Sequence, residues 1–298
     1  MMSLKPDLQN NQIKSSQDAW PKGLKSANKD LIQVKDYVFH ANSIIGKGKM
    51  SVVYKAVDLR TNQVVAIKKI SKKTLNSEYL VTSLLNEISI HNKVKHPNIV
   101  GLKEVIRSAN SIYLVLEYCN RGTLRDYLKE QGKVNEKEAK QILIQIIQGM
   151  DQLLQNNIIH RDIKPENILC HEDKNGLTFK ICDFGFSKKL EGKDALLQSA
   201  IGSPQYMDLQ RLSSEGYSTK SDVFSLGIIT YEMVFGRPPW LATNWHDLKC
   251  DLLSKPLKVP EGVVSREMEA FLKRTLAIWE SERASWDDLR KCSVYWMM

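Results

Sequence analysis

Between residues 37 and 118 the chain alternates short apolar runs with turn-forming polar residues, a pattern typical of β-strands. It predicts strands at residues 44–45, 52–54, 64–67, 99–105 and 112–116. Residues 80–95 differ, because their apolar positions recur with helical spacing. Leu84 and Ile88 would lie on one face of that helix. This region therefore predicts a β-rich unit that contains one long helix.

Helical periodicity prevails after residue 118. Asn135 followed by Glu138 resembles a capping box at the start of a long helix. The apolar stripe of that helix consists of Ala139, Ile142, Ile146, Met150 and Leu153. Residues 168–181 predict a short β region, and the apolar run 223–235 predicts a buried helix.

Together these patterns predict an α+β fold with two lobes and a cleft between them. Residues 37–118 would form the small β-rich lobe, and residues 119–298 the larger, mainly helical lobe. Residues 1–36 are rich in Asn, Gln, Ser and Lys and show no sustained periodicity. We therefore expect a flexible polar tail at the N-terminus.

The composition is that of a globular protein, with 298 residues of which 42% are hydrophobic and 26% charged. No apolar run reaches the roughly 18 to 20 residues needed to span a bilayer. The N-terminal residues contain no apolar signal-peptide region. The five cysteines are odd in number and lack metal-like spacing, which is typical of reduced thiols. We therefore expect a cytoplasmic protein without a transmembrane segment.

The net charge of +9 is concentrated in residues 37–118, where twelve Lys or Arg stand against five Asp or Glu. Such a surface attracts nucleotide phosphates, acidic partners, anionic lipid or nucleic acid alike. No zinc-finger spacing or RNA-binding aromatic motif accompanies the charge. The sequence therefore predicts no specific nucleic-acid partner.

A candidate phosphate site begins at Gly46-Lys47-Gly48, between two predicted strands. A glycine pair alone is weak evidence, since a plain hairpin turn would contain it too. Lys68, however, ends an apolar strand, and Glu87 follows nineteen residues later in the predicted helix. At this spacing Lys68 and Glu87 predict an ion pair that anchors phosphates.

The strongest chemical signal is residues 160–167, His-Arg-Asp-Ile-Lys-Pro-Glu-Asn. Phosphoryl transfer needs a carboxylate near the attacking hydroxyl, a cation near the transferred group and oxygen ligands for magnesium. Asp162, Lys164 and Asn167 can supply all three from one loop. A second carboxylate for magnesium follows at Asp183, within Asp183-Phe184-Gly185.

These motifs, in this order, resemble the eukaryotic protein kinase family over about residues 38–294. The resemblance implies ATP and Mg²⁺ as cofactors, and Lys164 implies the serine/threonine type with protein substrates. Asp162 would be the catalytic base, with Ser203 of the substrate-receiving loop hydrogen-bonded nearby. Catalytic roles would fall to Lys68, Glu87, Asp162 and Lys164, and metal binding to Asn167 and Asp183. The nucleotide would contact Ile45, Gly46, Lys47, Gly48, Val53, Ala66, Lys68, Leu116, Glu117, Cys119 and Leu169.

The resemblance also implies an internal stack of side chains that marks the active state. Its members would be His91, Leu102, His160 and Phe184, with Asp222 as the anchor. Within the family the greatest likeness is to the Unc-51-like, autophagy-initiating kinases, although calcium/calmodulin-type and Aurora-like kinases share several of the segments. The segments that carry this likeness are residues 111–120, 158–162, 183–186 and 202–204.

One departure concerns Asp208-Leu209-Gln210, where the family has Ala-Pro-Glu. That glutamate pairs with a buried arginine in the family, and Arg283 stands at the matching place. Gln210 brings a hydrogen bond but no charge, and Asp208 is a second candidate partner. We expect Gln210→Glu to raise the melting temperature, because an ion pair would then replace a neutral contact to a charge.

Regulation and specificity can also be predicted from the resemblance. Ser199 would be an activating phosphorylation site, with the cations Arg161 and Lys188 converging on its phosphate. Glu166 and Glu232 fall where some kinases bind basic residues of the substrate. The chain would be a monomeric kinase domain open to regulatory partners.

The sequence is also compatible with two functions other than that of an active protein kinase. A pseudokinase scaffold is the first, although Lys68, Asp162, Asn167 and Asp183 are all present. A small-molecule kinase of the same fold is the second, and the loop Gly202-Ser203-Pro204 favours protein substrates instead.

Overall fold

The structure, a computed structural model, describes residues 30–48, 50–190, 196–197 and 201–297. The strands are β1 Leu31–Val34, β2 Tyr37–His40, β3 Ile44–Lys47, β4 Ser51–Asp58, β5 Gln63–Ser71, β6 Leu102–Arg107, β7 Ser111–Glu117, β8 Ile158–Ile159, β9 Ile168–Asp173, β10 Gly176–Ile181 and β11 Lys188–Lys189. The helices are α1 Glu78–Lys93, α2 Leu124–Gln131, α3 Glu136–Gln155, α4 Leu209–Leu212, α5 Lys220–Phe235, α6 Trp245–Ser254, α7 Arg266–Thr275 and α8 Trp286–Met297.

The small lobe is an antiparallel sheet of β1 to β7 with helix α1 packed against it. The strand order is β1-β2-β4-β5-β7-β6, and β3 pairs with β4. Ser77 is the N-cap of helix α1, and its hydroxyl accepts a hydrogen bond from the Leu80 amide. Its Leu84 packs with Ile70 and Leu114 of the sheet. The predicted α+β fold, with a β-rich lobe and a helical lobe, is confirmed.

Strand β1 lies where the sequence predicts a flexible tail. Leu31–Val34 pairs antiparallel with Tyr37–His40, and Lys35 adopts a left-handed φ of 55° at the turn between them. The hydroxyl of Tyr37 donates to Glu104 in β6, which ties the hairpin to the opposite edge of the lobe. The tail prediction therefore does not hold for Leu31–Val34, while residues 1–29 lie outside the described part of the chain.

Asn135 is the N-cap of helix α3, and its side chain accepts a hydrogen bond from the Glu138 amide at 2.9 Å. The carboxylate of Glu138 accepts instead from the hydroxyl of Tyr127 in α2. Only half of the predicted capping box therefore forms, because the second half is replaced by a contact between two helices.

Helix α5 is the central helix of the large lobe. Its residues 221–234 are all buried, so the apolar run forms the predicted buried helix. It ends at Gly236, whose φ of 73° is the left-handed conformation that glycine adopts most readily. Across the described residues, α5 included, no helix has the length and hydropathy that crossing a membrane would require.

Candidate active site

A cleft of about 860 Å³ separates the sheet from the large lobe. All of the residues predicted to contact nucleotide line it: Ile45, Gly46, Lys47, Gly48, Val53, Ala66, Lys68, Leu116, Glu117, Cys119 and Leu169. The lining of the cleft also includes Asn167 and Asp183, which are predicted to bind metal. The fold thus brings together groups that are up to 138 positions apart in the sequence.

The roof of the cleft is the turn between β3 and β4. The Gly48 amide donates to the carbonyl of Ser51 at 2.8 Å, which closes the turn. A methyl group added at Gly48 would lie 3.2 Å from the Ser51 hydroxyl, a tight contact. Gly46, Lys47 and Gly48 line the cleft, where phosphate groups would lie beside their backbone.

Lys68 lies on β5 between two carboxylates that face the cleft. Its Nζ is 2.6 Å from Glu87 of α1 and 3.3 Å from Asp183. Burial opposes the charge on Lys68, but the two carboxylates outweigh it and raise the pKa of the lysine above its ordinary value. The nearby Lys68 in turn lowers the pKa of Asp183. At neutral pH the site therefore holds a fixed cation beside an ionised carboxylate.

The carboxylate of Asp162 is held by three groups. Its Oδ1 accepts from the Ser203 amide at 2.9 Å, and its Oδ2 accepts from Asn167 Nδ2 at 2.9 Å. Lys164 Nζ lies 2.8 Å from Oδ2 and also donates to the Ser203 hydroxyl at 2.7 Å. Asp162 is only 4% exposed, so its orientation is set by these contacts. This is the arrangement expected of a group that must meet a substrate hydroxyl in one geometry.

The loop that carries Asp162 is anchored by Asp222 of α5. The Asp222 carboxylate accepts from the amides of His160 at 2.8 Å and Arg161 at 2.9 Å. These bonds hold Arg161 in a left-handed conformation with φ 68°, which costs on the order of 1–3 kcal/mol for a non-glycine residue. At Gly202, where φ is 120°, a methyl group would lie 2.6 Å from the Arg161 carbonyl. Position 202 therefore requires glycine.

Phe184 lies between two imidazole rings, with centroid distances of 4.8 Å to His91 and 5.5 Å to His160. Burial and the nearby Lys68 lower the pKa of His91 to about 4, so its ring is neutral at physiological pH. Leu102 packs in the apolar cluster beneath α1. The stack thus links α1, which carries Glu87, to the loop that carries Asp162.

The residues predicted to bind Mg²⁺ fit an oxygen-preferring cation. The Nδ2 of Asn167 donates to the carbonyl and the carboxylate of Asp162, which leaves the amide oxygen as its ligand atom. The Asp183 side chain is 46% exposed and ionised beside Lys68. Both oxygen donors line the cleft that would hold the phosphates.

Arg283 is fully buried, and its main partner is Asp208 rather than Gln210. The Asp208 carboxylate lies 2.6 Å from the guanidinium, whereas Gln210 Oε1 accepts a single bond at 3.0 Å. Carbonyls of Ala277, Lys220 and Ile278 accept the remaining bonds. The charge missing at residue 210 is therefore supplied two residues earlier, which removes the reason to expect that Gln210→Glu stabilises the protein.

Glu166 and Glu232, predicted to receive basic substrate residues, both contact Arg125 of α2. Arg125 is a residue that the sequence did not single out. No motif identifies it, because its two partners lie 41 and 107 positions away in the sequence.

Ser199 lies outside the described residues, so its phosphorylation stays a prediction. Of the two cations proposed to receive the phosphate, Lys188 is exposed on β11. Arg161 is buried, and its Nε donates to the carbonyl of Phe186 at 2.5 Å. The guanidinium of Arg161 therefore already has a hydrogen-bond acceptor in this loop, and its part in binding a phosphate on Ser199 stays a prediction.

A family model of the protein kinase domain matches residues 39–295, so the chain belongs to the protein kinase family. It is 34% identical to myosin light chain kinase A of Dictyostelium discoideum over 249 residues. The aligned region covers 83% of this chain and 84% of that protein. It is 41% identical over 200 residues to the serine/threonine-protein kinase ATG1b of Arabidopsis thaliana, covering 67% of this chain and 28% of that protein. The resemblance to serine/threonine kinases that include the ATG1 group is confirmed.

Proposed function

We propose that the chain is an active serine/threonine protein kinase that transfers the γ-phosphate of Mg-ATP to hydroxyl groups of proteins. The observation that carries the proposal is the environment of Asp162. Its carboxylate is oriented by Ser203, Asn167 and Lys164. The Lys68–Glu87 pair lies in the adjoining cleft.

The mechanism rests on positioning and charge, since phosphoryl transfer requires little covalent chemistry from the protein. Asp162 would orient the substrate hydroxyl and take up its proton. Lys164 and Lys68 would stabilise negative charge on the transferred group and the other phosphates. Magnesium held by Asn167 and Asp183 supplies further charge neutralisation when bound.

A transfer assay with the purified chain, Mg-ATP and a mixed protein substrate tests the proposal. We expect phosphate on serine and threonine but not on tyrosine. We expect Lys68→Met to lower the rate by roughly 10²-fold or more, because a cation that meets developing charge is lost. Lys69→Met is the matched control, since Lys69 lies next along β5 and does not line the cleft. Nucleotide binding without transfer by the wild type would favour the pseudokinase instead.

The resemblance to Unc-51-like kinases extends the proposal to autophagy-type signalling. Similarity to the ATG1 kinases supports this extension. Similarity to the myosin light chain kinases supports protein phosphorylation but not a role in autophagy. Expression of the chain in cells that lack their own ATG1 kinase would test it. Restored formation of autophagosomes is the expected result, and normal kinase activity without restoration would remove the extension.

A further inference from the structure

Arg125 of α2 joins two carboxylates and a phenol at the edge of the cleft. Its Nε donates to Glu166 at 2.8 Å, and its terminal nitrogens pair with Glu232, one of them at 3.2 Å. The guanidinium also donates to the hydroxyl of Tyr206, which itself donates to Glu232 at 3.0 Å. We call these four residues the Arg125 cluster.

The Arg125 cluster adjoins the place where a substrate would bind. Glu166 and Tyr206 line the same cleft as Lys164 and Ser203. Glu166 follows Lys164 by two residues, and Tyr206 follows Ser203 by three. A peptide whose hydroxyl reaches Asp162 therefore has a flanking side chain beside the cluster.

Arg125 supplies one positive charge to the two carboxylates of the cluster from within the chain. Glu232 is only 10% exposed, and both of its oxygens accept hydrogen bonds from Arg125 or Tyr206. Burial raises the pKa of Tyr206, so the phenol keeps its proton as a donor. Guanidinium–carboxylate bonds of this kind are strong and geometrically specific. An arginine of a substrate would find both oxygens of Glu232 and one oxygen of Glu166 occupied.

We propose that Arg125 is a built-in occupant of an acidic substrate subsite and thereby sets the peptide specificity of the enzyme. The inference rests on the proposed kinase function. With Arg125 in place, the subsite selects no basic residue. Without it, Glu232 and Glu166 form an acidic pocket that a basic residue of the substrate can fill.

Positional-scanning peptide libraries compared between wild type and Arg125→Ala test the specificity directly. We expect the variant to gain a preference for arginine of roughly tenfold at one position that flanks the acceptor, the size of one charge-assisted hydrogen bond. Arg121→Ala is the matched control, because it removes an arginine paired with the exposed Glu172. Adding Glu232→Gln to Arg125→Ala should remove most of the gain. An active variant with an unchanged arginine preference would overturn the inference.

A binding measurement separates this inference from the kinase proposal. Ethylguanidinium should raise the melting temperature of Arg125→Ala, because it can refill the vacated pocket and stabilises only the folded state. It should leave wild type and Arg121→Ala unchanged. If no protein shows transfer, the proposed function fails and with it the role of the pocket as a substrate subsite, although a shift would still show that the vacated pocket binds a guanidinium group. If transfer occurs and neither the shift nor the new preference appears, the subsite is refuted. Arg125→Gln serves as a second variant should Arg125→Ala not fold.

Discussion

We expect Asp162→Asn to lower the rate of phosphoryl transfer by roughly 10²- to 10⁴-fold, the range typical of a lost general base. An amide cannot take up the proton of the substrate hydroxyl. Its NH₂ group would also meet Asn167 or Lys164, which both donate to Asp162 now. The measurement is initial-rate transfer to a peptide at saturating Mg-ATP, with the melting temperature recorded for each protein.

Asp173→Asn makes the same chemical change at the exposed end of strand β9 and should leave the rate unchanged. Nucleotide affinity should survive in Asp162→Asn, because Lys68, Glu87 and the roof of the cleft are untouched. A folded Asp162→Asn protein with a rate near that of the wild type would contradict the assignment of Asp162 as the base.

The largest expected effect on stability comes from Asp208→Asn. Asparagine preserves the volume and can still cap α4, as Asp208 does by accepting from the Arg211 amide. What it removes is the charge opposite Arg283, and both side chains are fully buried. Leaving a buried charge without its partner costs about 3–5 kcal/mol of unfolding free energy. Urea denaturation of wild type and variant measures the loss.

Gln210→Glu tests whether a negative charge at residue 210 can replace the carboxylate of Asp208 as the partner of Arg283. Alone, it should lower stability by about 1 kcal/mol or more, because the bond from Gln210 to the Ile278 carbonyl is lost and a second carboxylate is buried. Combined with Asp208→Asn it should recover part of the loss, since Arg283 regains a negative partner. A double variant that is less stable than Asp208→Asn would show that the contribution of Asp208 is not its charge.

The part of the site that could be predicted consists of short motifs whose residue types follow from the chemistry. Lys68, Glu87, Asp162 and Asp183 would each supply or hold a charge that phosphoryl transfer requires, and their spacing is recognisable without a structure. The long helices could be predicted for a similar reason. Their apolar stripes are long enough for the 3.6-residue period to stand out.

The parts that could not be predicted depend on packing between distant segments. Arg125 meets Glu232 across 107 positions, and nothing near either residue signals the contact. Strand β1 has only four residues amid polar neighbours, too few to show the alternation typical of a strand. These residues are extended because they pair with β2. Asp208 could be named as a candidate partner of Arg283, but only the three-dimensional arrangement shows that it is the main one.

The anchor at Asp222 also determines how the loop around Asp162 fluctuates. Amide hydrogens bonded to a buried carboxylate exchange with solvent only when that contact opens. For His160 and Arg161, the carboxylate belongs to a helix in which residues 221–234 are all buried. We therefore expect these two amides to exchange much more slowly than the amides of an exposed loop. In hydrogen exchange, the segment that carries Asp162 would then behave like the slowly opening centre of the large lobe.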